Sequence, residues 1–214
     1  MPPSGSAERK KTAERVVALP VERDDAALLG GLRRGEAWAI AALFDRHARG
    51  VERVIRRVLG YERHTELADL VHEVFVQAIS SARTLRDGDA LGAWLRGIAV
   101  HTACRAIRYR KARRWLRFYE PEKLPEQAAA ETSEEAREAF VHTYAVLERM
   151  PAADRALFAL RHIDGMQVPE LALSMDVSIS TIKRRLTRAE QRFAKLARRD
   201  PVLCEWLSPS GRRT

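Results

Sequence analysis

The sequence predicts an all-α protein built as two small helical domains joined by a flexible acidic linker. Three observations carry this reading. The 214 residues are 46% hydrophobic and 31% charged, with long stretches rich in Ala, Leu, Arg and Glu, which favour helix over strand. Apolar residues recur at helical spacing in several segments. Between those segments, from Tyr119 to Glu138, the chain turns acidic and holds two prolines and an alanine run.

Residues 1–23 contain Pro2, Pro3, Gly5 and mixed charges without apolar periodicity, and read as a flexible leader. The first domain covers 24–118, and Asp24 or Asp25 caps its first helix. Val51, Val54, Ile55, Val58 and Leu59 form one helical stripe in it. Leu67, Leu70, Val71, Val74 and Phe75 form a second, and Leu91, Leu95 and Ile98 a third. Gly60 ends the first of these helices, Thr65 caps the second, and Arg86-Asp87-Gly88-Asp89 is the loop before the third. The linker covers 119–138. The second domain covers 139–199, where Pro151 opens a helix, Gly165 closes it and a helix pair follows. Asp200-Pro201 stops the last helix, and in the tail, 200–214, Val202 to Leu207 reads as a short amphipathic turn that either packs on the second domain or meets a partner.

A formal net charge of +9 attracts polyanions or makes a soluble cationic surface, so the placement of the charge has to decide between them. Cys104 and Cys204 give neither a disulfide framework nor a repeated ligand spacing, which fits a reducing compartment. No run has signal-peptide or membrane-spanning character, so a cytoplasmic location without membrane insertion is expected.

The sharpest feature is Val168-Pro169-Glu170-Leu171-Ala172, then Met175-Asp176-Val177-Ser178, then Ile179 to Phe193, the layout of a helix-turn-helix. Asp176 occupies the tight turn, where a left-handed backbone is tolerated by Asp better than by most residues. Ser178 caps the second helix, whose residues Ile179, Ile182, Leu186, Ala189, Phe193 and Leu196 form a core-facing stripe. Ser180, Thr181, Arg184 and Arg188 then fall on the outer face, where Arg can engage guanine through two bonds and Ser and Thr adapt to several partners. Lys183 and Arg185 flank that face and suit phosphates. The competing reading is an ordinary amphipathic helix with a solvated basic face; the short helix and turn before it favour DNA.

A second basic feature runs through Arg105, Arg108, Arg110, Lys111, Arg113, Arg114 and Arg117, with Tyr109 and Trp115 between them and no acid. It reads as a strip that tracks phosphates, against the alternative of a solvated helix end. Trp38, Trp94 and Phe158 lie in apolar patterns and read as core. His101 and Cys104 lack the second ligand pair a metal site needs, so no metal and no cofactor is expected. Clustered carboxylates and phosphate-binding glycine loops are also missing from the pattern, which argues against an enzyme.

Two motif groups then carry a family resemblance. Asp69-Leu70-Val71-His72-Glu73-Val74-Phe75 followed by Trp94-Leu95-Arg96-Gly97-Ile98-Ala99 resembles region 2 of the extracytoplasmic-function (ECF) sigma factors of bacterial RNA polymerase. Met150-Pro151, Gly165-Met166, Glu170-Leu171-Ala172 and Ser180 to Ala189 resemble region 4 of the same family, and the likeness spans roughly residues 25 to 198. The resemblance implies a sigma factor that brings core polymerase to promoters. Asp69, His72 and Glu73 would dock on the clamp of the largest subunit, and the polymerase flap would be a further contact. Arg86, Asp87, Gly88, Asp89, His101, Arg105 and Arg108 would meet the minus-ten element, where a base is flipped from melted DNA. Arg110, Lys111, Arg113 and Arg114 would hold phosphates, and Ser180, Thr181, Lys183, Arg184, Arg185 and Arg188 would meet the minus-thirty-five element. The chain departs from the family pattern at His72 for a usual Gln, His101 for Asn and Arg105 for Asp, and has Leu85 and Leu91 where aromatics are common. An anti-sigma factor is left open as a partner.

The rival reading is a helix-turn-helix regulator that binds a palindromic operator as a dimer without joining polymerase. The polar Asp69 to Glu73 motif and the basic strip in the first domain weigh against it.

Overall fold

The structure, a computed structural model, describes residues 25–60, 64–85, 90–116 and 134–207. The leader, the loop Arg86 to Asp89, most of the expected linker and the end of the tail lie outside the described residues. So do the side chains of Thr65, Arg114 and Trp115.

The first unit is a helical bundle. Helix α1 (Asp25–Arg34) buries Leu28, Leu29 and Leu32 and turns at Gly35 into α2 (Ala37–Leu59). The stripe of α2 is buried as its spacing requires, from Leu43 through Val51, Ile55 and Val58. Helices α3 (His64–Ser81) and α4 (Leu91–Leu116) both pack on α2 and on each other. The ion pairs Glu66–Arg110 and Glu73–Arg105 join the start of α3 to the later turns of α4, so the two helices run antiparallel.

The second unit starts with α5 (Glu134–Arg149), whose first turns fall inside the span read as linker. Pro151 then opens α6 (Ala152–Phe158), as its fixed φ favours. The helix widens into a π turn at Ala159–Ile163 before Gly165 reverses the chain at φ 80°. Helix α7 (Val168–Ser174) begins with a reciprocal cap, in which the Gln167 backbone N–H donates to Glu170 Oε2 at 2.8 Å. Asp176 takes the left-handed conformation at φ 50°, as the tight turn demands. Helix α8 (Ile179–Ala197) is capped by Ser178, whose Oγ accepts from the Thr181 backbone N–H at 3.2 Å. One expectation fails here: Ile179 is 47% exposed, because in the first turn it precedes the buried part of the stripe at Ile182, Leu186 and Ala189.

The segment read as a tail turn forms helix α9 (Pro201–Leu207), which docks on α5 through buried Leu203 beside Val146 and Ala197. Asp200 holds the junction. It accepts from the Leu203 N–H at 3.1 Å and lies 2.8 Å from His142 Nδ1. Burial pushes its carboxyl up, but the bonds from His142 and the backbone outweigh this and hold it below the usual carboxylate value.

The two units do not stand apart. Val58, Ile98 and Ile107 of the first share one core with Leu157, Leu160, Leu171 and Ile182 of the second. Helix α4 packs on α6 and α7, and at Gly97 it comes so close that an added Cβ would collide with the Ser174 carbonyl oxygen. Cys104 points into the same junction, with Sγ 3.5 Å from the Ala152 carbonyl oxygen, and burial pushes its thiol up to about 11.

Candidate nucleic-acid interface

Helix α8 presents its basic face outward because its apolar stripe is spent on the core. Ser180, Lys183, Arg184, Arg185 and Arg188 are exposed, and Thr181 is half-buried. Ser178 Oγ lies 3.0 Å from Ser180 Oγ and 2.9 Å from Thr181 Oγ1, so these hydroxyls form a local cluster at the helix start. Among the described residues no carboxylate pairs with Lys183, Arg184 or Arg185. Arg188 is different: its Nη2 donates to Asp154 Oδ1 at 3.3 Å. A helix face with free arginines, a hydroxyl cluster and one anchored arginine can bond phosphates and also reach base edges.

The strip on α4 is less uniform than its sequence suggests. His101, Arg105, Arg108, Tyr109 and Arg113 are exposed. Arg110 instead pairs with Glu66, and the Lys111 ammonium donates to the Met150 carbonyl oxygen at 2.7 Å, toward the second unit. The strip holds no acid of its own, yet two of its cations are engaged within the fold. Acids from α3, distant in sequence, neutralise part of it. Arg105, the departure from the family's acid, pairs with Glu73. His101 is exposed while Cys104, three residues on, is buried. They face different surroundings.

On α3, Asp69 and His72 are exposed and Glu73 is half-buried. Val76, one turn beyond His72, is 51% exposed, and Phe44 of α2, 49% exposed, packs on Phe75 at 4.9 Å between ring centroids. Exposed polar and apolar side chains thus occur together on α3. Sequence reasoning missed Phe44 and Val76, although Val76 falls outside the apolar stripe of its helix, which was the signal available. It also missed Asp154 and Arg155, whose only signal is a charged pair inside the apolar run Ala152 to Leu160.

Sigma-70 region 2 matches residues 43–114, and sigma-70 region 4 matches residues 142–193. These two regions in this order define a sigma factor, the subunit that directs RNA polymerase to promoters. Over 176 residues the chain is 27% identical to the ECF RNA polymerase sigma factor SigM of Mycobacterium tuberculosis, covering 82% of this chain and 85% of that one. It is also 27% identical to the ECF RNA polymerase sigma-E factor of Escherichia coli, over 78% of this chain and 91% of that protein. The chain belongs to the ECF sigma factors.

Among solved structures, the fold resembles that of CnrH in complex with the cytosolic domain of CnrY, with a TM-score of 0.53 and 22% identity over 83% of this chain and 99% of that one. It also resembles RpoE of Bartonella quintana in complex with the anti-sigma factor NepR, with a TM-score of 0.52 and 20% identity over 73% of this chain and 95% of that one.

Proposed function

We propose that α3 docks core polymerase through Asp69, His72 and Glu73 with Val76 and Phe44 beside them, that α4 meets the minus-ten element, and that α8 reads the minus-thirty-five element. The observation carrying this assignment is the division of exposed groups. Acid and apolar groups face outward on α3, while Arg108 and Arg113 on α4 and Arg184 and Arg185 on α8 are exposed with no carboxylate partner among the described residues. Polymerase supplies the catalysis, so the chain itself has no enzymatic role in this reading. No helix among the described residues is long and apolar enough to cross a membrane, which is consistent with work in the cytoplasm. The likeness to sigma factors solved with CnrY and NepR makes an anti-sigma protein a further partner to test.

The mechanism is linkage. Each domain binds DNA modestly, and attachment of both to one polymerase raises the effective concentration of each at its element. Transcription run-off with purified core polymerase on genomic DNA tests it: defined start sites are expected. Failure to bind core polymerase where a control sigma factor binds would remove the assignment, and dimeric binding of a palindrome without polymerase would replace it.

A further inference from the structure

Asp154 lies in the first turn of α6, outside the recognition helix, yet its carboxylate is directed at that helix. The residue is 3% exposed. A buried carboxylate is costly unless it is paired and hydrogen-bonded. Arg188 donates to Oδ1 at 3.3 Å and Arg192 donates to Oδ2, one oxygen each. The two arginines are four residues apart on α8 and therefore stack on one face. Their side chains stay 62% and 42% exposed, so each guanidinium is shared between the carboxylate and the outer surface. An acid in a helix's first turn is ordinary, since it complements the helix dipole. This one is set apart by burial and by partners drawn from the exposed basic face of another helix.

We propose that Asp154 is a positioning residue for promoter reading, which aims Arg188 at one base-pair position of the minus-thirty-five element. This deepens the reading of α8 given above and rests on it. A guanidinium has five N–H donors in a rigid fork. With one donated to Asp154, the reach and swing of the fork are restrained and other donors remain for a guanine edge, a contact that needs a defined orientation. An unanchored arginine on a four-bond stem reaches phosphates of any sequence instead. Asp154 thus trades general attraction for selectivity, and it does so from outside the DNA contact.

That trade separates positioning from mere support. The full chain with core polymerase is offered a promoter library randomised over the minus-thirty-five element, and binding to a duplex is measured against salt. Asp154→Asn, close in shape but uncharged, is expected to lower the preference at one position by roughly 5-fold or more, the scale of one lost bidentate contact. In the same variant duplex binding should become steeper in salt, by roughly 0.9 for each new phosphate contact. Arg188→Ala should flatten the same position, and the double variant should be no flatter there than Arg188→Ala alone. Asp154→Glu keeps the charge and moves it by one methylene, so it serves if Asp154→Asn does not fold; it should keep affinity and still shift the preference. A uniform loss at all positions with an unchanged salt slope means structural support only and overturns the proposal. So does an intact profile in both Asp154 variants while Arg188→Ala flattens one position, an outcome that leaves the reading of α8 standing. If Arg188→Ala changes nothing, the reading of that position falls first and the proposal with it.

Discussion

The guanidinium of Arg155 reaches out of the second unit to the end of α2, where Nη2 donates to the Leu59 carbonyl oxygen at 2.6 Å and Nε to that of Val58 at 2.7 Å. The last four carbonyls of a helix have no partner within it. In α2 the Gly60 N–H satisfies Arg56, the Tyr144 hydroxyl donates to Arg57 at 3.0 Å, and Arg155 serves the remaining two. Three of the four caps therefore come from the other unit. A buried cation at the negative end of a helix also gains from the helix dipole.

Arg155→Ala should accordingly loosen the junction while leaving each unit's helices formed. The loss is about 2 to 4 kcal/mol, since two charge-assisted bonds vanish but the carbonyls can hydrate once the units part. Cys104 is the reporter. Its thiol is buried at the junction and pushed up to about 11, so on the order of one in a thousand is ionised at pH 8. In a Cys204→Ser background, Arg155→Ala should label much faster with a thiol reagent, and Arg155→Lys should not restore protection because it lacks the planar fork. Unchanged labelling would show that the cap does not hold the units together.

Gly97→Ala offers a second test with an opposing baseline. Inside a helix this change normally stabilises by about 1 kcal/mol. Here the new methyl would meet the Ser174 carbonyl, so the packed body should lose stability and Cys104 should again label faster. A raised Tm would mean that α4 and α7 lie farther apart in solution.

The helices and the turn residues were legible in the sequence because each rests on local chemistry: Gly60, Pro151, Gly165, Asp176 and Ser178 all act where their backbone preferences place them. The junction between units was not. Arg155 reads as one charge among many, and its partners are backbone carbonyls about a hundred residues away, which no side-chain pattern announces. The same holds for the site. The outer face of α8 follows from a 100-degree wheel, whereas the pairing of Arg110 with Glu66 and Arg105 with Glu73 needs the α3–α4 register. Ile179 misled because a stripe position at a helix end is not yet over the core.

Arg184→Ala should weaken use of the minus-thirty-five element and relax preference at one or two positions, by about 1 to 3 kcal/mol if the contact to guanine is bidentate. Arg184 is exposed and engages no carboxylate among the described residues, so little folding stability should be lost. A position-by-position promoter profile that matches the unmutated protein would take Arg184 off the base-reading face.

Charge reversal on α3 should split two residues that the sequence treats alike. Asp69→Lys should impair polymerase binding only. Glu73→Lys should impair it too, but it also removes the partner of Arg105 and places a like charge beside it, so DNA binding by the free chain should change as well. The pair itself is half exposed, so its own energy is small, below about 1 kcal/mol. Comparing core-polymerase affinity with free-chain DNA affinity for both variants checks this, and identical behaviour would mean that Glu73 and Arg105 do not communicate.

The basic strip of α4 should divide according to which cations are already engaged. Each cation that neutralises a duplex phosphate contributes roughly 0.9 to the slope of log affinity against log salt, because it releases condensed counterions. Arg108 and Arg113 are exposed and available for that role. Arg110 is occupied by Glu66 and Lys111 by the Met150 carbonyl, so forming a phosphate contact there first breaks an existing one. Neutralising Arg108 and Arg113 together should therefore flatten the slope by nearly 2, with promoter preference retained. Neutralising Arg110 and Lys111 should flatten it far less. The Lys111 change should show up elsewhere, as faster labelling of Cys104, because that side chain helps to close the junction between the units. Equal slopes for the two double variants would mean that the carboxylate and the carbonyl release their cations when DNA arrives, and that the whole strip tracks phosphate as its sequence first suggests.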